Sequence, residues 1–289
     1  MIYSGVFTAL VTPFKNDKLD LKGLIKLAGI QVEAGVNGLV LTGTTGEAAT
    51  LSDSEKVEIY KAVVAEFKGK IKIIAGTGSN NTDLAIKNSL IAEECGVDGL
   101  LVVTPYYNKP SQEGLLAHYK KIASLVSTEI IIYNVPGRTG VNITPATVEQ
   151  LASEEKIVAV KEAGTFEQMN NMIAVNGKTL SILSGDDFTF MPFMALGGHG
   201  VISVVSNIVP GKMVELYNAI DECNLELARK IHFEIYPLIE VLFVESNPVP
   251  TKKMLEMMGL IEGGPRLPLV GASKESINKI QNIKKKLSL

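Results

Sequence analysis

Cysteine is scarce in this chain: Cys95 and Cys223 are the only two. That count excludes a disulfide framework, and no metal-ligand spacing surrounds either residue. Both fall in stretches of helical pattern, where the expectation is two buried thiols. Histidine is scarce as well. His118, His199 and His232 are dispersed and share no zinc-type motif. An excess of positive charge is missing too. With a net charge of -3, the chain has nothing basic enough to track a phosphate backbone, which argues against a nucleic-acid partner. The opening MIYSGVFTALVTPF carries no basic stretch ahead of an apolar core and does not read as a signal peptide. No run nears the ~18 apolar residues that span a membrane. These absences point to a cytoplasmic protein in a reducing compartment, acting on small molecules or beside protein neighbours.

What is present is ordinary globular composition, 46% hydrophobic and 20% charged over 289 residues. Eight short apolar runs punctuate the first part of the chain: Val6–Val11, Gly38–Leu41, Ile71–Ala75, Leu100–Val103, Ile130–Tyr133, Ile157–Val160, Leu180–Leu183 and Val201–Val204. Most are rich in Val and Ile with little alternation, as strands buried on both faces of a parallel sheet are. Stretches of helical period lie between them, among them Leu21–Ala34, Asp53–Phe67, Thr82–Cys95, Gln112–Val126 and Pro145–Ala152. Ser52 and Glu55 have the spacing of a capping box, and Thr144 precedes a proline at a helix start. EAGVNGLVL and ECGVDGLLVV read as two copies of one join, helix, glycine stop, tight loop and buried strand.

Alternating βα units indicate an α/β fold with a parallel sheet. An open doubly wound sheet usually carries G-x-G-x-x-G after its first strand; here Thr12-Pro13-Phe14 follows instead. The expectation is therefore a closed (β/α)8 TIM barrel over residues 1–223. Beyond Cys223 only helical pattern remains, at Leu225–Val244, Thr251–Met258 and Ser273–Leu287, which reads as a C-terminal helical extension over residues 224–289. The basic face of the last segment is expected to be solvated.

Barrel enzymes place their chemistry just past the C-terminal ends of the strands. There the chain carries Gly43-Thr44-Thr45-Gly46-Glu47, Thr104-Pro105-Tyr106-Tyr107-Asn108, Tyr133 through Arg138, Lys161-Glu162 and Ser184-Gly185-Asp186-Asp187. Lys161 is the most informative, a lone cation after an apolar strand. Its bland reading is a salt bridge to Glu162 or Asp186. Its chemical reading is an amine that attacks a carbonyl, since partial burial favours the free amine. Tyr133 closes the neighbouring strand and offers a phenol for proton relay. Thr44 and Thr45 sit in a glycine-bracketed turn suited to a carboxylate. Arg138 can grip a carboxylate with two parallel bonds. Taken alone, each of these also fits a turn, a rim tyrosine or a surface arginine.

The ordered set GTTGE (43–47), TPYYNKPSQEG (104–114), YNVPGRTG (133–140), VKEA (160–163), SGDD (184–187), GVISV (200–204) and ESNPVPTK (245–252) resembles the dihydrodipicolinate synthase family along essentially the whole chain. That resemblance implies condensation of pyruvate with L-aspartate 4-semialdehyde to 4-hydroxy-tetrahydrodipicolinate, for lysine and diaminopimelate synthesis. It implies that Lys161 forms the pyruvate imine and that Tyr133, Thr44 and Tyr107 form the proton relay, with Tyr107 lent by a neighbouring subunit. It further implies that Thr45 holds the pyruvate carboxylate and Arg138 the semialdehyde, and that Gly185 and Ile202 line the pocket through their backbones. No metal or organic cofactor is implied, and a homotetramer built from two dimers is.

A related pyruvate aldolase, of the N-acetylneuraminate lyase or keto-sugar-acid type, is the alternative enzyme. Such lyases resemble GSTGE in the first motif and lack the PGR arginine, so both features favour the synthase. A catalytically dead barrel is opposed by the joint presence of Lys161, Tyr133, Thr44 and Arg138. The family's lysine-inhibited pattern is matched at Asn80 and Tyr106. It is broken at Ala48, Asp53, Lys56 and Leu84, so insensitivity to L-lysine is expected.

Overall fold

The computed structural model describes residues 2–289. Eight parallel strands close into a barrel: β1 (Gly5–Ala9), β2 (Gly38–Leu41), β3 (Lys72–Gly76), β4 (Gly99–Val103), β5 (Glu129–Asn134), β6 (Ile157–Glu162), β7 (Ser181–Ser184) and β8 (Gly200–Ser203). Each strand pairs with its sequence neighbours, and β8 returns to β1 with Gly5 opposite Gly200. The closed barrel is thus the (β/α)8 TIM barrel expected from the run of βα units, and the open sheet is excluded. A two-stranded hairpin (Phe14–Lys15 with Lys18–Leu19), which sequence pattern did not anticipate, follows β1.

The anticipated helix signals operate. Ser52 and Glu55 form a reciprocal capping box, and Thr144 accepts from Thr147 N. Gly35 and Gly96 follow helix ends at φ +82° and +85°. Beyond residue 223 come Leu225–Leu242, Val249–Met257 and Lys274–Lys286; the first packs against the barrel helix Pro210–Asp221. Among the described residues no helix is long and apolar enough to cross a membrane.

One sequence expectation fails here: neither thiol is buried. Cys95 is half-buried just past the helix Thr82–Glu94, and Cys223 is exposed in the turn between Pro210–Asp221 and Leu225–Leu242. Helical periodicity runs on through both turns, so it overstated their burial.

The core has two parts. The larger lies between barrel and helices. The smaller fills the barrel and takes at least one residue from each strand, among them Phe7, Val40, Ile74, Leu101, Ile131, Ala159, Leu183 and Ile202. Because successive strand residues face opposite sides, the position two further along faces the barrel's upper mouth. That rule sets Tyr133, Lys161 and Gly185 in one layer above Ile131, Ala159 and Leu183.

Candidate active site

Strand β6 needs one extra residue to aim its lysine. Its pairing with β5 shifts register between Ile130 and Ile131, where Ile157 and Ala159 are the successive partners and Val158 is left over. A bulge of this kind re-aims the residues that follow it. Ala159 faces inward, Val160 joins the outer core, Lys161 faces inward and Glu162 faces out. Lys161 therefore lies within the strand rather than just past it.

Lys161 is almost wholly buried and stands in register with Tyr133, its Nζ 4.3 Å from the centre of the Tyr133 ring. Among the described residues it enters no ion pair. The salt bridge to Glu162 or Asp186 is absent. The Glu162 carboxylate is on the other side of the sheet, and the Asp186 carboxylate accepts from Phe188 N at 3.0 Å. Gly185 leaves room for the lysine: a Cβ there would stand 3.0 Å from Lys161 Cε and 2.7 Å from Ala163 Cβ. Ile202 is buried in the same interior cluster as Tyr133.

A cavity of about 550 Å³ opens over this layer, with Thr44, Tyr133 and Arg138 in its wall. Lys161 is not part of that wall; its Nζ lies over the ring of Tyr133, which is. Arg138 sits on the single helical turn Pro136–Thr139 and is exposed, with no side-chain hydrogen bond or ion pair among the described residues. Thr44 is likewise exposed toward the cavity, its hydroxyl free of protein partners among the described residues. The same cavity runs on to Ala48, Lys56, Leu84 and Tyr106.

Thr45 and Tyr107 stand apart. Thr45 is buried, and its hydroxyl accepts a 2.8 Å bond from Asn247 Nδ2. Tyr107 is 88% exposed at φ +73°, a backbone conformation uncommon for a bulky residue, and does not join the other site residues within its own chain.

Three groups of functional weight escaped sequence reasoning. Glu47, at φ +55°, accepts from Lys252 Nζ (2.5 Å) and from Arg266 N (2.8 Å), and both charged side chains are buried. Together with Asn247 this ties the GTTGE turn to the C-terminal helices; GTTGE and ESNPVPTK were each visible as motifs, but not their contact. Asp187, pushed up to about 6 by burial, accepts from Val204 N and Val205 N (2.9 and 3.1 Å) and braces the chain after β8. Glu162, fully buried, is pushed up to about 7 by burial, against bonds from Asn134, Gly164 and Gln168 that favour its anion. A charge directly after an inward lysine was a usable signal, since alternation must send it to the opposite face.

A buried lysine that enters no ion pair among the described residues, over a tyrosine ring, with an arginine in the wall of the same cavity, is an arrangement for carbonyl chemistry on an anionic substrate. Comparison with known proteins agrees. The model of the Dihydrodipicolinate synthetase family matches residues 2–287. A 4-hydroxy-tetrahydrodipicolinate synthase of Nitratidesulfovibrio vulgaris (strain DP4) is 46% identical over 285 residues, 98% of each chain. The crystal structure of the dihydrodipicolinate synthase of Thermotoga maritima superposes with a TM-score of 0.98 at 42% identity, covering 100% of this chain and 99% of that one. The enzyme of Acinetobacter baumannii, solved as a chloride-inhibited form complexed with pyruvate, gives 0.96 at 41% identity over 99% of both chains. With identity and coverage of this order along its whole length, the chain belongs to the dihydrodipicolinate synthetase family.

Proposed function

We propose that this chain is a Schiff-base lyase that condenses pyruvate with L-aspartate 4-semialdehyde to 4-hydroxy-tetrahydrodipicolinate, for lysine and diaminopimelate biosynthesis. The observation that carries the reading is Lys161: a buried amine without a counter-charge, over an aromatic ring, at the mouth of a barrel. The amine attacks the pyruvate ketone and water leaves. The imine then draws electrons from the methyl group, which loses a proton and becomes the enamine that attacks the aldehyde.

Tyr133 and Thr44 border the space where those protons move and form the relay with Tyr107. Thr45 and its turn receive the pyruvate carboxylate. A hydroxyl that accepts from Asn247 keeps its own proton to donate. Arg138, in the wall of the same cavity, takes the carboxylate of the semialdehyde, while Gly185 and Ile202 present backbone to the pocket. The outward, exposed Tyr107 fits a residue lent to a neighbour's site, and hence a homotetramer of two dimers. Residues 1–223 form the catalytic barrel and residues 224–289 a helical domain that steadies it. Two unpaired thiols suit the cytoplasm.

The test is to incubate the protein with pyruvate, reduce with borohydride and map the adduct by mass spectrometry, then to identify the product formed with the semialdehyde. An adduct on Lys161 and the cyclic product are expected. A different lysine, or no adduct, refutes the assignment.

A further inference from the structure

Immediately after Tyr133 and Lys161 come Asn134 and Glu162, themselves opposite one another in the same strand pair. Their side chains face away from the barrel interior and bond to each other: Asn134 Nδ2 lies 2.9 and 3.0 Å from the two Glu162 oxygens. The carboxylate also accepts from Gly164 N (2.6 Å) and Gln168 Nε2 (3.4 Å). It enters none of the ion pairs of the described residues, so a fully buried carboxylate is held by neutral donors alone. An isolated buried charge is a costly way to stabilise a fold.

What this group does hold is the geometry of the layer above. Its backbone oxygen accepts from Gly185 N (2.7 Å), and Ala163 N donates back to Asn134 O (2.9 Å), so the ends of β5, β6 and β7 meet at this one residue. Asn134 in turn donates to Asn142 Oδ1 (2.7 Å) and accepts from Ile143 N (3.2 Å), which anchors the clamp to the chain beyond Arg138. Gly164 leaves the space: a Cβ there would lie 2.7 Å from Glu162 Oε1.

We propose that Glu162 is a positioning residue: through Asn134 its carboxylate clamps the ends of β5 and β6 and so fixes Lys161 over the ring of Tyr133. This rests on the reading of Lys161 as the imine residue. The clamp acts on aim rather than on pyruvate binding, because the Thr44–Thr45 turn is held separately.

The experiment is borohydride trapping of pyruvate at Lys161, with rate against pyruvate concentration, on wild type, Glu162→Ala, Asn134→Asp and the double variant Asn134→Asp/Glu162→Gln. Each rate is taken per folded molecule, from melting curves. Misplacing a reacting group by an ångström costs up to ~100-fold, so Glu162→Ala should lower the maximal trapping rate by about 10- to 100-fold. The half-saturating pyruvate concentration should move less than about threefold, since the carboxylate turn is untouched. Asn134→Asp sets two carboxylates face to face and should slow trapping comparably. The double variant restores one donor and one acceptor and should recover most of the rate. If Glu162→Ala does not fold, the two Asn134 variants carry the test. Folded variants that trap pyruvate at the wild-type maximal rate overturn the clamp, as does a double variant no better than Asn134→Asp alone. Absence of a Lys161 adduct in wild type instead refutes the imine reading itself.

Discussion

The two sides of the candidate site are held by opposite means. On one side, Tyr133 and Lys161 are fixed by neighbours in the sheet: strand register, a bulge at Val158, and an uncharged grip on Glu162 from residues at most 28 positions away. On the other, the GTTGE turn is fixed by residues about two hundred positions away, through Asn247 on Thr45 and the Lys252–Glu47 ion pair. A β-ladder aligns whatever lies on adjacent strands without further help. A turn past a strand end has no ladder, and this one is held in place by the C-terminal helices. The extension is therefore part of the site's construction, although it contributes none of the proposed catalytic residues.

The GTTGE turn depends most on Lys252, which pairs with Glu47. Replacing it by Met leaves the buried Glu47 carboxylate without its cation, a loss of roughly 3–5 kcal/mol. Urea titration of Lys252→Met should show that loss, and Glu47→Gln/Lys252→Met should recover part of it. A variant as stable as wild type would mean the pair does not hold the turn.

Glu162 supplies a pH signature on the other side. Its carboxyl has an ordinary value of 4.5 when unfolded and about 7 when folded. Below pH 4.5 both states hold the proton, so burial of the neutral acid costs nothing through this group. Between 4.5 and 7 only the folded state holds it, and stability falls as pH rises; above 7 the cost is complete, roughly 3 kcal/mol. Burial holds His118 down at about 4, which gives the opposite slope below its ordinary 6.5. The informative quantity is therefore the difference between Glu162→Gln and wild type, which should shift in favour of the variant from pH 5 to pH 8. A difference independent of pH would place the folded-state value near the ordinary one.

Arg138 sharpens the division of labour. Losing a charged hydrogen bond costs about 1.5–3 kcal/mol, so Arg138→Ala should reduce kcat/KM for the semialdehyde by ~10–150-fold. Pyruvate trapping at Lys161 should survive; its loss would give Arg138 a wider role.

The smallest expected effect is none at all. The cavity wall also presents Leu84 and Lys56; of the acids, Glu47 in the same wall is paired with Lys252, and Asp53 is paired with Lys87 at 2.8 Å. Among the described residues a free lysine finds no unpaired anion in that wall and meets a like charge. Initial rates at saturating pyruvate should be unchanged by millimolar L-lysine, and so should the melting temperature. Partial inhibition would show that the cleft still binds it.

Much of this protein was legible in the sequence because its cues are local. Val- and Ile-rich runs without alternation mark strands buried on both faces, and Ser52, Thr144, Gly35 and Gly96 mark helix ends through bonds to residues within a turn. A single lysine on an apolar strand end is conspicuous in any chain, and seven ordered motifs named the family. Tertiary structure alone determined which way that strand faces. One leftover residue at Val158 reverses every side chain after it, so Lys161 rather than Glu162 enters the barrel, and no composition rule places a bulge. It determined that the Thr45 hydroxyl is shared with Asn247 and that Glu47 is answered by Lys252, pairings that span most of the chain. It determined that Tyr107 is exposed outside the cavity wall and that Cys223 lies on a surface turn. Local propensity is written in neighbouring residues; facing, pairing and exposure arise only when the barrel closes and distant segments share one volume.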